Sequence, residues 1–296
     1  MISQILDQLL NGLQIGSIYA LVALGYTMVY GIVKLINFAH GDFIMVGAYV
    51  SLMCIPFFTG LGMPAWMCVL AAVAVCALLG VATERVAYKP LRNSPRISVL
   101  ITAIGVSLLL QNAFMLIFSP DPRPVSTILP KDSLAIGPLQ IKYTTIITIV
   151  ISVIMMVLLT LFVKKTRMGK AMRAVSEDEG AARLMGVNVN TTISITFAIG
   201  SALAAVASVL YCSAYSIVEP TMGSMLGLKA FVAAVMGGIG SIPGAMVGGI
   251  VLGIIESLTK AYISSALADA VVFGLLVVVL LVKPTGLFGK NVGEKV

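Results

Sequence analysis

Long apolar runs, repeated along the whole chain, constrain this sequence more than any other feature. Leu9–Val33, Phe43–Phe58, Met63–Ala82, Ile97–Phe118, Tyr143–Val163, Thr192–Ala214 and Ala266–Val282 are each dominated by hydrophobic residues, and an eighth run, Leu226–Ser257, is apolar but interrupted. A helix needs about 20 mainly apolar residues to cross the roughly 30 Å hydrocarbon core of a bilayer. Phe43–Phe58 is shorter and is expected to be tilted or partly interfacial. Only 10% of the 296 residues are charged and 59% are hydrophobic, against about 25% charged in a soluble domain. Such a chain has too few polar groups to cover itself in water. The predicted fold is therefore all-α: a single polytopic transmembrane helix bundle over 1–296, with about eight hydrophobic segments, one broken or re-entrant.

The net charge of +7 falls in blocks between the apolar runs, which marks topology and not a nucleic-acid surface. Thr83–Arg96 holds four basic residues, Lys164–Asn190 six, and the tail three (Lys283, Lys290 and Lys295) of the 19 in the chain. Basic loops stay in the cytoplasm, so these three are assigned there. Cys54–Gly62 and Ser119–Lys142 are assigned outside. The N-terminus then lies outside and the C-terminus inside. No cleavable signal peptide is expected, because the first eight residues contain no Lys or Arg. Cys54, Cys68, Cys76 and Cys212 show no CxxC spacing and no histidine company, so they read as packing thiols and not as metal ligands or a redox pair. No metal or cofactor is called for.

With that parity, Leu226–Ser257 must begin and end on the outer side. Its break is Gly237-Gly238-Ile239-Gly240-Ser241-Ile242-Pro243-Gly244, in which five of eight residues are Gly or Pro. Glycine releases the backbone from helix and proline removes a donor, so two half-length helices meeting at an irregular turn are predicted. Irregular backbone at membrane depth is tolerated only inside protein or along a water-filled cavity, which assigns Gly237, Gly238, Gly240, Ser241, Pro243 and Gly244 to the bundle interior or the translocation path. A kinked structural helix packed through small residues would show the same pattern. Gly244-x-x-x-Gly248 and Gly249-x-x-x-Gly253 permit close helix approach in either case.

The most informative polar stretch is Lys164–Asn190. Ser176-Glu177-Asp178-Glu179 has the form of a capping box, with Ser176 at N-cap and Glu179 at N3. Arg183 suits the far end of the helix dipole, and Gly186 follows Met185 as a stop. A short cytoplasmic helix, Glu177–Met185, is predicted. Within it, Gly180-Ala181-Ala182-Arg183-Leu184-Met185-Gly186 resembles the EAA loop of bacterial ABC importer permeases, E-A-A-x-x-x-G, although Gly180 occupies the Glu position and Glu179 stands one residue earlier. That resemblance implies an ATPase-coupling helix made of Ser176, Glu177, Glu179, Ala181, Ala182, Arg183, Leu184, Met185 and Gly186. Ala181 and Ala182 would let it sit deep in a groove, with Leu184 and Met185 as an apolar anchor.

Five ordered motifs extend the resemblance to the whole chain: Ile36–Asp42, Glu84–Arg92, Arg167–Ala174, Gly237–Ala245 and Pro284-Thr285-Gly286. Together they resemble the LivH-type permease of the high-affinity branched-chain amino acid importers. The resemblance implies a second related permease subunit, two cytoplasmic ABC ATPase subunits and an extracytoplasmic amino-acid-binding protein as partners, in the cytoplasmic membrane with its lipid. Leucine, isoleucine and valine would be the cargo. Urea-type and sugar-type permeases share parts of the pattern, and the scarcity of embedded charge suits a neutral solute as well as a zwitterion. Because no G-x-x-x-x-G-K-[ST] loop occurs, ATP hydrolysis would have to take place in a partner.

Other chemistry is thin. His40 is the single histidine and lies beside Asp42, but no Ser or Cys nucleophile accompanies it. Asn37, His40 and Asp42 read as the cap of a helix start, with a gating role for that turn as the functional alternative. Glu256 and Lys260 stand in the favourable i,i+4 order near the outer end and read as a structural ion pair, though an ion-coupled secondary transporter would use such an acid. Lys229 reads as snorkelling to the interface. An intramembrane aspartyl protease is excluded by Ser241 after Gly238-Ile239-Gly240, where that chemistry needs Asp.

Overall fold

The computed structural model describes residues 2–92, 94–130, 132–136 and 139–289. Eleven α-helices are present among them: α1 Ile2–Val33, α2 His40–Gly60, α3 Met67–Thr83, α4 Arg96–Phe118, α5 Tyr143–Lys165, α6 Arg167–Glu177, α7 Glu179–Leu184, α8 Val189–Tyr215, α9 Met222–Gly237, α10 Ile242–Tyr262 and α11 Ala268–Val282. Seven of the described helices are long and apolar enough to cross a membrane, and α9 and α11 are shorter apolar helices. Short strands complete the chain: β1 Arg123–Pro124 pairs with β4 Ile217–Val218, and β2 Ser133–Ile136 pairs with β3 Leu139–Lys142, both antiparallel.

Helix α1 is the axis of the bundle. From Ile18 to Leu24 every residue is buried, and α1 packs on α10, α8, α9 and α5. It runs antiparallel to α10: Gly12 lies against Ile254 and Gly16 against Gly249 and Ile250, while Gly31 reaches Gly240 in the turn before α10. A Cβ on Gly12 would stand 2.7 Å from Ile254 Cα, and one on Gly16 2.9 Å from Gly249 O. The second glycine stripe of α10 does the same for another neighbour, as Gly244 and Gly248 abut Gly237 and Ala233 of α9. In lipid, where apolar burial gives no preference for helix–helix contact, such close backbone approach is what holds helices together. Helices α4 and α5 are mostly uncovered and form the periphery.

The interrupted run is a helical hairpin, so the eight expected segments become nine apolar helices among the described residues. Its second arm, α10, is not half-length: 21 residues span about 31 Å. Pro243 sits at the second helical position, where its missing N–H costs nothing, and Ser241 Oγ accepts from Gly244 N at 3.2 Å. The proline therefore starts a helix here. Helix α2 also exceeds expectation, because His40, Gly41 and Asp42 precede the apolar run yet are helical and buried. After α3 the chain continues as a π-turn over Glu84–Tyr88 and a 3-10 turn over Lys89–Leu91. Pro90 supplies the cause, since it can neither donate nor tolerate the carbonyl four residues back.

Candidate functional site

The turn before α2 carries a buried polar centre. No side chain caps the helix: the N-cap residue is Ala39, without a side-chain bond, which corrects the capping role expected of Asn37, His40 and Asp42. Gly41 instead lies against Gly223 and Gly227 of α9, and that contact pulls the two flanking polar residues into the bundle. His40 stacks edge-on with Tyr26, centroids 4.6 Å apart, and its Nε2 has no hydrogen-bond partner among the described residues. Asp42 Oδ1 accepts from Gln111 Nε2 at 2.9 Å, and the same amide nitrogen lies 2.9 Å from Ser224 Oγ. One carboxylate thus ties α2 to α4 and, through Gln111, to α9.

Asn37 connects this centre to the far end of α3. Tyr88 Oη donates to Asn37 Oδ1 at 2.7 Å. Glu84, fully buried, is paired with Arg92 and accepts from Ser194 Oγ at 2.6 Å. Arg92 also donates to Asn190 Oδ1 at 2.7 Å. Four polar side chains therefore join the π-turn to the first turns of α8, immediately after α7. In the sequence, Glu84–Arg92 stands out only as part of a pattern. The pairing of Glu84 with Ser194 spans 110 residues, and nothing local announces it.

The basic segment folds as two helices, α6 and α7, separated at Asp178, whose backbone is extended. Helix α6 runs through Ser176 and Glu177, and Ser176 Oγ donates back to Arg173 O at 2.7 Å, so Ser176 is not the N-cap. Asp178 is: its Oδ1 accepts from Ala181 N at 2.9 Å. The expected Glu177–Met185 helix is in fact α7, Glu179–Leu184. An aspartate with extended backbone outcompetes serine because its charged oxygen accepts the first free N–H and also suits the helix dipole. The stop occurs where predicted. Gly186 has φ +81°, Gly186 N donates to Arg183 O and Val187 N to Ala182 O, each at 3.0 Å, a Schellman pair that favours glycine. Glu179 and Arg183 form an exposed i,i+4 pair at 2.6 Å. Ala182 is buried, whereas Leu184 is 91% and Met185 83% exposed. Leu184 and Met185 thus present an adjacent apolar pair on the most polar part of the chain.

The Gly237–Gly244 turn lies at the end of the bundle where α1 finishes, beside Gly31, and not at mid-depth. Gly237, Gly238 and Gly244 are buried, while Gly240 and Pro243 are exposed. The segment after α11 straps it: Leu287 N donates to Met236 O at 2.9 Å and Phe288 N to Gly237 O at 3.0 Å. Ser241 is engaged as the α10 cap.

At the opposite end lies the group that sequence reasoning undervalued. Glu256 is 1% exposed; its Oε1 accepts from Lys229 at 2.8 Å and from Lys260 at 2.6 Å, and its Oε2 from Tyr19 Oη at 2.7 Å. Lys229 does not snorkel. It is buried and also pairs with Asp269 at 2.6 Å. The predicted Glu256–Lys260 pair is thus the visible edge of a network joining α1, α9, α10 and α11. A cavity of ≈ 340 Å³ opens beside it between α1, α8, α9 and α10.

A family model described as the permease component of the branched-chain amino acid transport system matches residues 8–280. The chain belongs to this permease family. The branched-chain amino acid permease BraD of Pseudomonas aeruginosa is 44% identical over 98% of each chain. LivH of Escherichia coli K12, a high-affinity branched-chain amino acid transport system permease, is 45% identical over 98% of this permease and 97% of its own length. The ribose import permease RbsC of Escherichia coli is a more distant relative, 27% identical over 85% of this permease. Among solved structures, PsaBC from Streptococcus pneumoniae in complex with Fab aligns over 96% of this permease with a TM-score of 0.50 and 15% identity, a likeness of fold alone.

Proposed function

We propose that this permease is the membrane-spanning subunit of an ATP-driven importer that carries leucine, isoleucine and valine across the cytoplasmic membrane. The observation that carries the reading is the 44% and 45% identity, over 98% of the chain, with two high-affinity branched-chain amino acid permeases. Its partners would be a second, related permease, two cytoplasmic ATPases and an extracytoplasmic binding protein. The exposed Leu184 and Met185 on capped α7 support docking of an ATPase there. Movement of α7 would reach the bundle through the Asn190–Arg92–Glu84 contacts and Tyr88–Asn37, with the Asn37–Asp42 turn as the gate. The concentration of basic residues near α6 and α7 supports a cytoplasmic position for that end.

Proteoliposomes containing the permease with its partner subunits test this directly. Labelled leucine is expected to enter only with ATP and binding protein. Uptake driven by an ion gradient without the ATPases would replace the reading with secondary transport. Uptake of urea or ribose but not leucine would replace the cargo.

A further inference from the structure

The ≈ 340 Å³ cavity has the size of a small-solute site, near the lower limit of ligand pockets, and its charges are unequally occupied. Glu256 is saturated by three donors and Lys229 is held between two carboxylates. Two wall residues are left with capacity. Among the described residues Glu219 makes no ion pair or side-chain hydrogen bond, and Lys260, 44% exposed, uses one of three donors, on Glu256. A carboxylate such as Glu219, beside a cleft with no counter-charge, is costly near a membrane. A guest carrying an ammonium and a carboxylate would pair with Glu219 and accept from the free donors of Lys260.

The remaining walls narrow the guest further. Tyr211 and Tyr215, ring centroids 4.6 Å apart, line the cavity with Glu219, and aromatic faces beside a carboxylate favour an ammonium. Met222 and Met225, from the first turn of α9, line it too; thioether side chains adapt to aliphatic shapes. The geometry points to a binding site for a free aliphatic α-amino acid, in which Glu219 takes the ammonium, Lys260 the carboxylate and the methionines the side chain. Glu256, which lines the same cavity with Lys229, holds the Lys260 head at 2.6 Å. This inference rests on the proposed amino-acid cargo, and it adds a selectivity step within the permease: urea or a sugar would leave Glu219 without a counter-charge.

The test uses the assembled transporter, with this subunit's own cysteines replaced and Met225→Cys as reporter, or Ser224→Cys should the first fail to assemble. Leucine is expected to slow maleimide labelling of the reporter, and leucinamide, which lacks the carboxylate, is not. Glu219→Gln should weaken the leucine protection about tenfold or more, the effect of losing one charge-assisted contact. A transporter that imports leucine normally yet shows no leucine protection, or equal protection in Glu219→Gln, overturns the site. Absence of leucine import by the unsubstituted complex would instead overturn the cargo assignment on which the site rests.

Discussion

Glu256 is the residue on which most depends. It is buried with three donors around it, and each comes from a different part of the chain: Tyr19 of α1, Lys229 of α9 and Lys260 of α10. Removing one partner of a buried pair leaves an uncompensated charge and costs about 3–5 kcal/mol, whereas replacing both by apolar groups is often neutral. Glu256→Met is therefore expected to lower the unfolding midpoint of the solubilised subunit sharply, because Lys229 loses its inner partner. The double variant Lys229→Met/Glu256→Met should recover most of that loss; Asp269 and Lys260 are already half in solvent and water can take them over. Thermal unfolding of the three proteins decides, and a double variant no more stable than Glu256→Met would contradict the account. No local pattern could have shown the network. Lys229 and Glu256 lie 27 residues apart and Tyr19 is 237 from Glu256, so only the i,i+4 link to Lys260 was open to sequence reasoning.

At the scale of elements, apolar length located α4, α5, α8 and α11 within a few residues, because a membrane helix is defined by hydrophobicity and little else. The starts of α2 and α10 were different. His40, Gly41 and Asp42 are polar or small, and only Gly223 and Gly227 across the interface explain why they are buried; Pro243 carries opposite meanings inside a helix and at its first turn. Helix α7 was found from its stop and misplaced at its start. Six residues cannot hold a helix alone, so its caps matter unusually. Asp178→Ala removes the bond to Ala181 N and should cost about 1 kcal/mol of local stability, and Gly186→Val forces φ +81° on a β-branched residue. Both are expected to reduce leucine uptake per ATP hydrolysed in the reconstituted transporter, while Ser176→Ala leaves that ratio unchanged. A Ser176→Ala defect equal to that of Asp178→Ala would restore Ser176 as the cap.

For the whole molecule, the distribution of charge and the path of the chain make independent statements about orientation. Helices α1 and α5 run the same way, since Gln14 meets Thr145 and Ser17 meets Ser152, and α10 runs against α1. Consequently Val33, Lys165, the Gly238 turn and the strap at Leu287 share one end of the bundle, and β1 and β4, paired with each other, share the other. The first end carries the basic segments of α6 and the π-turn. If it faces the cytoplasm, nine apolar helices, an odd number of passes, put the N-terminus outside. In a subunit lacking its own four cysteines, a single cysteine at Asp121 or Ser133 should react with an impermeant maleimide added to intact cells. One at Leu184 or Lys170 should react only after the membrane is opened. Two helices, α9 and α11, are too short to be assigned as crossings by length alone, and the count stays odd only if both cross or neither does. Reaction at Leu184 from outside would invert the molecule. Reaction at both Asp121 and Leu287 from outside, with Lys170 protected, would show that α11 does not cross.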